Sequence, residues 1–184
     1  MTELRIDEQG EWLEGVRKVI SPNYDQRPDD LEIDLLVIHS ISLPPGEFGG
    51  DYIDQLFTNS LDPEQHPYFE EIASLRVSTH IMINREGLIT QYVPFTQRAW
   101  HAGESDYEGC ANCNDYSIGI ELEGCDNKDF TQAQYVTLVN ITGAITQFWP
   151  KISKQRITGH CHIAPNRKTD PGPSFNWDLY YSSI

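Results

Sequence analysis

The sequence feature that most restricts the fold is an apolar run, Leu35-Leu36-Val37-Ile38, followed directly by His39. Four consecutive apolar residues between polar stretches indicate a strand that is buried on both faces. Such a strand needs a covering layer above it and another below it. We therefore expect a sheet with helices packed on both sides, and we expect His39 to end a central strand of that sheet.

The remaining patterns supply the other elements. A hairpin is predicted between Thr79 and Val93, with its turn at residues 85–87, and a strand is predicted over Ser117 to Glu123, where apolar side chains alternate with others. The most regular helical pattern runs from Thr131 to Trp149 and begins with a possible capping box. Two short helices and a short strand are also predicted, over residues 51–58, 66–75 and 156–158, whereas residues 21–30 and 161–174 are expected to be irregular.

Strands and helices thus interleave along a chain of 184 residues. That length suffices for one well-packed core and is too short for two ordinary ones. The pattern predicts an α/β, or mixed α+β, fold. We expect a single three-layer domain over residues 1–184, in which helices flank a central mixed β-sheet.

The charge balance excludes several classes of partner. The chain has 28 acidic and 13 basic residues, which gives a formal net charge of −15. A nucleic-acid-binding protein needs a basic surface to displace counterions from phosphates, and a negative surface also disfavours docking on an acidic membrane or a polyanionic cell wall. We therefore expect a small soluble partner, no nucleic acid and no membrane.

The N-terminal segment and the cysteines bear on the compartment. The first eight residues include acids where a secretory signal would have a basic and then an apolar stretch, and no apolar run reaches the ~18 residues needed to span a bilayer. These features predict a cytoplasmic protein. Cys110 and Cys113 form a Cys-x-x-Cys pair that could be a redox pair or half of a zinc site, but a second close pair is missing, and we favour incidental free thiols.

Three side chains suited to metal binding lie where predicted strands give way to loops. His39 follows the first buried strand, His160 follows the last strand, and Asp170 lies in the rigid segment Thr169-Asp170-Pro171-Gly172-Pro173. Two histidines and one carboxylate leave a tetrahedral zinc ion one open position, as hydrolysis requires. Spacing alone does not separate His160 from His162, and the other three histidines, His66, His80 and His101, are more typical of surface or hydrogen-bonded core positions.

Five segments, taken together, resemble the cytoplasmic AmpD amidases, which belong to the wider group of N-acetylmuramoyl-L-alanine amidases. They occur in the order of that family and span about residues 20–178. The segments are Ile38–Gly49, Leu75–His80, Arg98–Gly103, Asn114–Gly124, and Thr158–Cys161 continued by Lys168–Phe175.

The resemblance implies a function and a set of roles. It implies one Zn²⁺ per chain, bound by His39, His160 and Asp170, with Glu121 taking the proton of the attacking water and Lys168 stabilising the oxyanion. The implied reaction cuts the amide between the lactyl group of 1,6-anhydro-N-acetylmuramic acid and L-alanine in small muropeptides, during peptidoglycan recycling.

Substrate contacts are expected from Arg76, as a carboxylate partner, from Trp100, as a flat apolar wall, and from Ser40. Ser40 stands where the family has Asn, and the basic residues that the family has near Asn112 are missing here. Without the resemblance, Glu121 reads as a solvated acid, Lys168 as a surface lysine, Arg76 as part of a surface ion pair and Trp100 as a core aromatic.

Two other functions remain open at this point. A secreted or phage-type amidase would attack whole peptidoglycan, but the acidic charge and the Asp at the third ligand position disfavour it. A non-catalytic muropeptide-binding module would share the fold, but this chain keeps all three ligands together with Glu121 and Lys168. The expected oligomeric state is a monomer.

Overall fold

The computed structural model describes residues 4–184, and its centre is a six-stranded sheet. The strands follow the spatial order β1-β5-β4-β9-β3-β10, and only β4 and β5 pair antiparallel. The predicted mixed sheet is therefore confirmed. Its strands are β1 (Arg17–Lys18), β3 (Leu35–Ile41), β4 (Ile81–Ile83), β5 (Ile89–Gln91), β9 (Ser117–Glu123) and β10 (Ile157–Gly159).

Two small antiparallel ribbons lie outside this sheet. One pairs β2 (Tyr24–Gln26) with β6 (Gln97–Ala99), and the other pairs β7 (Asp106–Tyr107) with β8 (Cys110–Ala111). The helices are α1 (Tyr52–Phe57), α2 (Pro67–Ile72), α3 (Gln132–Phe148), α4 (His160–Ile163) and α5 (Trp177–Ser183). None of the helices in residues 4–184 has the length and apolar character needed to cross a membrane.

Helices cover both faces of the sheet, as predicted. On one face, Leu36, Ile38, Ile118 and Ile120 pack with side chains of α3 and α5 in the largest apolar cluster. Leu35 and Val37, whose side chains point to the other face of β3, pack with Ile163 of α4 and with loop residues. A third cluster joins α1 and α2 to Tyr92 and Val93, which follow β5, and to Ala99 of β6.

The longest helix begins and ends as its sequence predicts. The Thr131 side chain accepts a hydrogen bond from the Gln134 backbone N–H, and the Gln134 side chain accepts one from the Thr131 backbone N–H, which completes the capping box. The helix ends at Phe148, two residues before Pro150. The buried stripe of this helix then closes the core over β9 and β3.

The structure differs from the predictions at β3, β2 and α4. β3 continues through His39 to Ile41, so His39 lies within the strand and does not end it. β2 occupies part of a segment predicted to be irregular, and His160 begins the single turn of α4 where a loop was predicted. Elements of two to four residues are too short to show a sequence period, which explains the errors at β2 and α4.

Candidate metal centre and active site

The register of the two longest strands builds the site. In the parallel pair of β3 and β9, His39 lies opposite Glu121, one position beyond the core pair of Ile38 and Ile120. Because side chains alternate along a strand, His39 and Glu121 lie on the face away from that core pair. Two chemically active side chains, 82 positions apart in the sequence, are thereby placed side by side on a rigid surface.

The neighbouring strand brings in the second histidine. β10 pairs parallel with β3, so that Gly159 lies beside Ile38 and the chain turns into α4 with His160. The loop that carries Asp170 is tied to this turn, because the Cys161 N–H donates to the Asp170 carbonyl at 2.8 Å. A side chain at Gly159 would meet Pro171 at 2.9 Å, so a glycine lets the loop pack closely here.

Three ligand atoms converge at this point. Nδ1 of His39 lies 3.0 Å from Nδ1 of His160 and 3.2 Å from Oδ2 of Asp170, and Nδ1 of His160 lies 3.0 Å from the same carboxylate oxygen. Both imidazoles are buried, and the three residues form a group that could hold a metal ion. Two imidazole nitrogens and one carboxylate oxygen are a donor set that suits zinc and leaves a fourth position open.

Burial and mutual charge prepare these groups to bind a cation. Burial, and secondarily the charge of His160, lower the pKa of His39 to about 4, against the opposing effect of Asp170. Burial acts to raise the pKa of Asp170, but the close approach of the imidazoles of His160 and His39 outweighs that effect and holds this pKa well below its usual range. At neutral pH the site therefore offers a neutral imidazole at His39 and an ionised carboxylate, which are the forms that ligate metals.

Glu121 has the surroundings of a general base. Burial, and secondarily the negative charge of Asp170, raise the pKa of Glu121 well above its usual value, and the charge of Lys168 opposes them. Its Oε2 is buried and has no hydrogen-bond partner among the described residues. A raised pKa brings a carboxylate towards the pH at which it can both take and give a proton, and an unpaired buried oxygen is available to a ligand or a water molecule.

An open cleft of about 730 Å³ is lined by two of the three ligands, His160 and Asp170. Glu121, Lys168, Ser40 and Trp100 contribute to its lining. The Ser40 hydroxyl lies 3.5 Å from the Pro171 carbonyl, and the Trp100 indole N–H donates to Asp25 at 3.1 Å, which fixes the plane of its ring.

Arg76 lies apart from these residues. It is exposed between Leu75 and Val77, which do line the cleft, and its guanidinium donates to the carbonyls of Ser74 and Leu75. Its role in binding a substrate carboxylate stays a prediction.

His162 and His80 have surroundings that differ from those of the two ligand histidines. His162 is exposed, and its ring packs on Trp177, outside the group of three ligands. His80 is buried and accepts from the Gly119 N–H, as a hydrogen-bonded core histidine does. All four cysteines are free, including Cys110 and Cys113.

His101 has a closer relation to the site than the sequence predicted. Its Nδ1 lies 2.9 Å from Nε2 of His39, so it contacts that ligand through the ring nitrogen that does not face the other two ligands. Its position in the sequence predicts an ordinary histidine, because it lies in a loop two residues after β6 and does not follow a buried strand directly. A usable signal was its place in the segment Arg98–Gly103, one of the five that carry the family resemblance.

Comparisons with known proteins agree with this geometry. A family described as "N-acetylmuramoyl-L-alanine amidase" matches residues 29–173. The chain is 61% identical over 170 residues to the 1,6-anhydro-N-acetylmuramyl-L-alanine amidase AmpD of Escherichia coli (strain K12), covering 92% of each protein.

Solved structures show the same relationship. A crystal structure of a selenomethionine AmpD derivative has 57% identity and a TM-score of 0.93, over 97% of this chain and 98% of that one. AmpDh3 from Pseudomonas aeruginosa, in complex with an anhydromuramic pentapeptide, has 25% identity and a TM-score of 0.60, over 89% of this chain and 65% of that one. The chain belongs to the N-acetylmuramoyl-L-alanine amidase family.

Proposed function

We propose that this protein is a zinc-dependent amidase that hydrolyses the amide bond between the lactyl group of 1,6-anhydro-N-acetylmuramic acid and L-alanine in soluble muropeptides. Family membership and the names of the most similar relatives support the reaction. The observation that carries the zinc dependence is the group of His39, His160 and Asp170, which lies beside an unpaired carboxylate oxygen of Glu121. One Zn²⁺ per chain is the expected stoichiometry.

The donor set indicates what the metal contributes. A zinc ion bound there supplies Lewis acidity towards the scissile carbonyl and lowers the pKa of water. His39 and His160 hold their Nδ1 atoms towards one point, and Asp170 adds the negative charge that favours a divalent cation there.

Glu121 and Lys168 have separate roles in this proposal. Glu121 accepts the proton of the attacking water and passes it to the departing amide nitrogen, a transfer that its raised pKa favours. Lys168 lies in the cleft wall two residues before Asp170, where its ammonium stabilises the negative charge that develops on the carbonyl oxygen.

The cleft suits a small substrate. It is open to solvent, and Ser40 and Trp100 line it near the ligands, where Trp100 offers a flat apolar wall held by Asp25. The charge of −15 disfavours attachment to intact cell wall, which supports a cytoplasmic role on soluble recycling intermediates. Arg76, on the exposed segment beside the cleft, is the proposed partner of a stem-peptide carboxylate.

Metal analysis combined with an activity assay tests this function. The purified protein is expected to contain about one zinc per chain and to release L-alanyl peptide from an anhydro-muropeptide, and a chelator should abolish that release. Alanine at His39, His160 or Asp170 should remove the metal and the activity together. The matched control is His162→Ala, because His162 lies two residues from His160 and outside the ligand group.

Two outcomes contradict the proposal. If His162→Ala loses zinc while His160→Ala keeps it, the ligand assignment is wrong. If the zinc-loaded protein binds muropeptide and never cuts it, the chain is a binding module. Peptide release from intact sacculi, compared with the soluble substrate at equal amide concentration, tests the substrate class, and equal or faster release from sacculi would favour a phage-type enzyme.

A further inference from the structure

A chain of hydrogen bonds runs from the metal ligands into the protein. The Ser117 hydroxyl has one proton, which it donates to the Cys113 carbonyl, so it can only accept from Nε2 of His101 at 3.1 Å. His101 therefore carries its proton on Nε2. His101 is buried among other imidazoles, where a neutral ring is favoured, so its Nδ1 is left with a lone pair.

That lone pair determines which nitrogen of His39 carries the proton. Nε2 of His39 lies 2.9 Å from Nδ1 of His101, so Nε2 of His39 must be the donor. A neutral His39 with its proton on Nε2 has its lone pair on Nδ1, the atom that faces His160 and Asp170. The direction of hydrogen bonding thus leaves the nitrogen at the metal position free to ligate.

The position of the proton on His160 is determined by Ala102, the residue that follows His101. Nε2 of His160 lies 3.0 Å from the Ala102 carbonyl, which can only accept, so Nε2 of His160 carries a proton, and the neutral form of this ring has its lone pair on Nδ1. His101 and Ala102 are anchored by one side chain, because Oδ1 of Asn114 accepts from both of their backbone N–H groups. One anchored dipeptide therefore meets the outer nitrogens of both ligands.

The sheet makes room for this arrangement. A methyl group at Gly119 of β9 would lie 2.5 Å from Cγ of His101, so the absence of a side chain there allows the imidazole to lie against the strand. Gly119 pairs with Val37, two positions before the pair of His39 and Glu121, which brings the ring to the height at which it reaches His39. The polar contact thus depends on a specific gap in the packing.

We propose that His101 is a positioning residue of the metal centre: its Nδ1 accepts the Nε2–H of His39 and holds His39 in the tautomer that presents Nδ1 to the metal. The inference rests on the proposed function for the zinc it invokes, but the tautomer is a property of the metal-free protein as well. Removal of a residue that hydrogen-bonds to a metal ligand in this way changes metal affinity by about 10–100-fold.

Two nearly isosteric replacements separate the hydrogen bond from the packing. In His101→Asn, Oδ1 occupies about the place of the imidazole Nδ1 and can accept from His39, whereas His101→Leu has similar bulk there and no acceptor. Zinc affinity, measured by competition with a chromophoric chelator, is expected to fall about 10–100-fold in His101→Leu and to be largely restored in His101→Asn. His162→Ala is the control and should bind zinc as the wild type does.

Long-range ¹H–¹⁵N spectra of the metal-free protein test the tautomer directly. His39 should carry its proton on Nε2 in the wild type and in His101→Asn, and should become a mixture of tautomers in His101→Leu. A proton on Nδ1 of His39 in the wild type overturns the inference, as do equal losses of zinc affinity in the Leu and Asn variants, which would show a packing role alone. If the wild type binds no zinc, the proposed function fails, and the spectra still decide the tautomer.

Discussion

The two faces of the strand pair formed by β3 and β9 differ in what they require of the sequence. On one face, Leu36, Ile38, Ile118 and Ile120 are fully buried and pack against α3. The other face also carries polar side chains, those of His39, Glu121 and Ser117, of which His39 contacts Asp170 and Ser117 contacts His101, both in loops outside the strand pair. The apolar face needs only the right pattern and volume, whereas the polar face needs each donor to meet a specific acceptor.

The comparison teaches that stability and chemistry are placed on opposite sides of the same backbone. A change on the apolar face should lower the free energy of unfolding and leave the reaction intact, and a change on the polar face should do the reverse. The following predictions test that separation, beginning with the largest expected effect.

Glu121→Gln should lower turnover by about 10²–10⁴-fold, because it removes the proposed base while keeping the size of the side chain. Zinc content should remain near one per chain, and the unfolding midpoint should not fall, since the variant removes a buried carboxylate with an unpaired oxygen. Steady-state kinetics with metal analysis measure this, and Glu47→Gln, at an exposed position, is the control. Near-normal turnover would remove Glu121 from the mechanism.

Ile118→Ala should lower the free energy of unfolding by about 2–5 kcal/mol, because it deletes buried methyl and methylene groups from the apolar face. Turnover well below the unfolding temperature should stay close to that of the wild type. Urea titration gives the stability, and Leu88→Ala is the control because its side chain is 66% exposed. A loss of zinc affinity in Ile118→Ala would show that the two faces are not separable.

Lys168→Met should lower turnover by about 10²–10³-fold, because it removes one positive charge beside the developing oxyanion. The effect should appear in turnover more than in substrate binding, since the charge acts on the transition state. Lys151→Met, at an exposed lysine that pairs with Glu32, controls for the general loss of a positive charge. A change confined to substrate binding would instead make Lys168 a binding residue.

The smallest effect per residue concerns the pH dependence of the metal-free protein. The pKa of His39 is lowered to about 4, and burial also lowers the pKa values of His80 and His101 well below their usual range. Between about pH 6.5 and pH 5 the unfolded chain binds protons that these native imidazoles do not. Stability should therefore fall with decreasing pH, by about 1.4 kcal/mol per pH unit for each fully depressed histidine.

Glu121 acts in the opposite direction over that interval, because burial raises its pKa above that of the unfolded chain, so that the native state binds this proton more readily than the unfolded state does. Its contribution stabilises the protein as the pH falls. Glu121→Gln should therefore make the pH dependence steeper, by at most about 1.4 kcal/mol per pH unit. Chemical denaturation of both chelated proteins at several pH values measures the two slopes, and equal slopes would contradict the raised pKa of Glu121.

The sequence predicts most of the elements that build the apolar core. The strand Ser117–Glu123 has the predicted bounds because seven alternating residues show a clear period, and α3 begins at its predicted capping box. β1 and β2 were not predicted, because two or three residues carry no period. The extension of β3 beyond His39 was also missed, since partly exposed Ser40 and Ile41 give no continuous apolar signal.

The polar half was predicted only in part. Spacing alone leaves His160 and His162 equivalent, and the structure separates them because different positions in the single turn of α4 point in different directions, which buries His160 and leaves His162 exposed. The place of His101 depends on Gly119 and Asn114, two residues that the chain brings to it from other elements. No local sequence pattern predicts a contact of that kind.

The missing side chain at Gly119 has a consequence for protein engineering. A designer who transplants this centre into a new scaffold would naturally copy the three ligands and the neighbouring carboxylate. On a host strand with alanine at the equivalent position, the supporting imidazole would be displaced by a single methyl group, because that methyl would lie 2.5 Å from the ring. The minimal portable unit therefore includes a glycine that touches neither the metal nor the substrate.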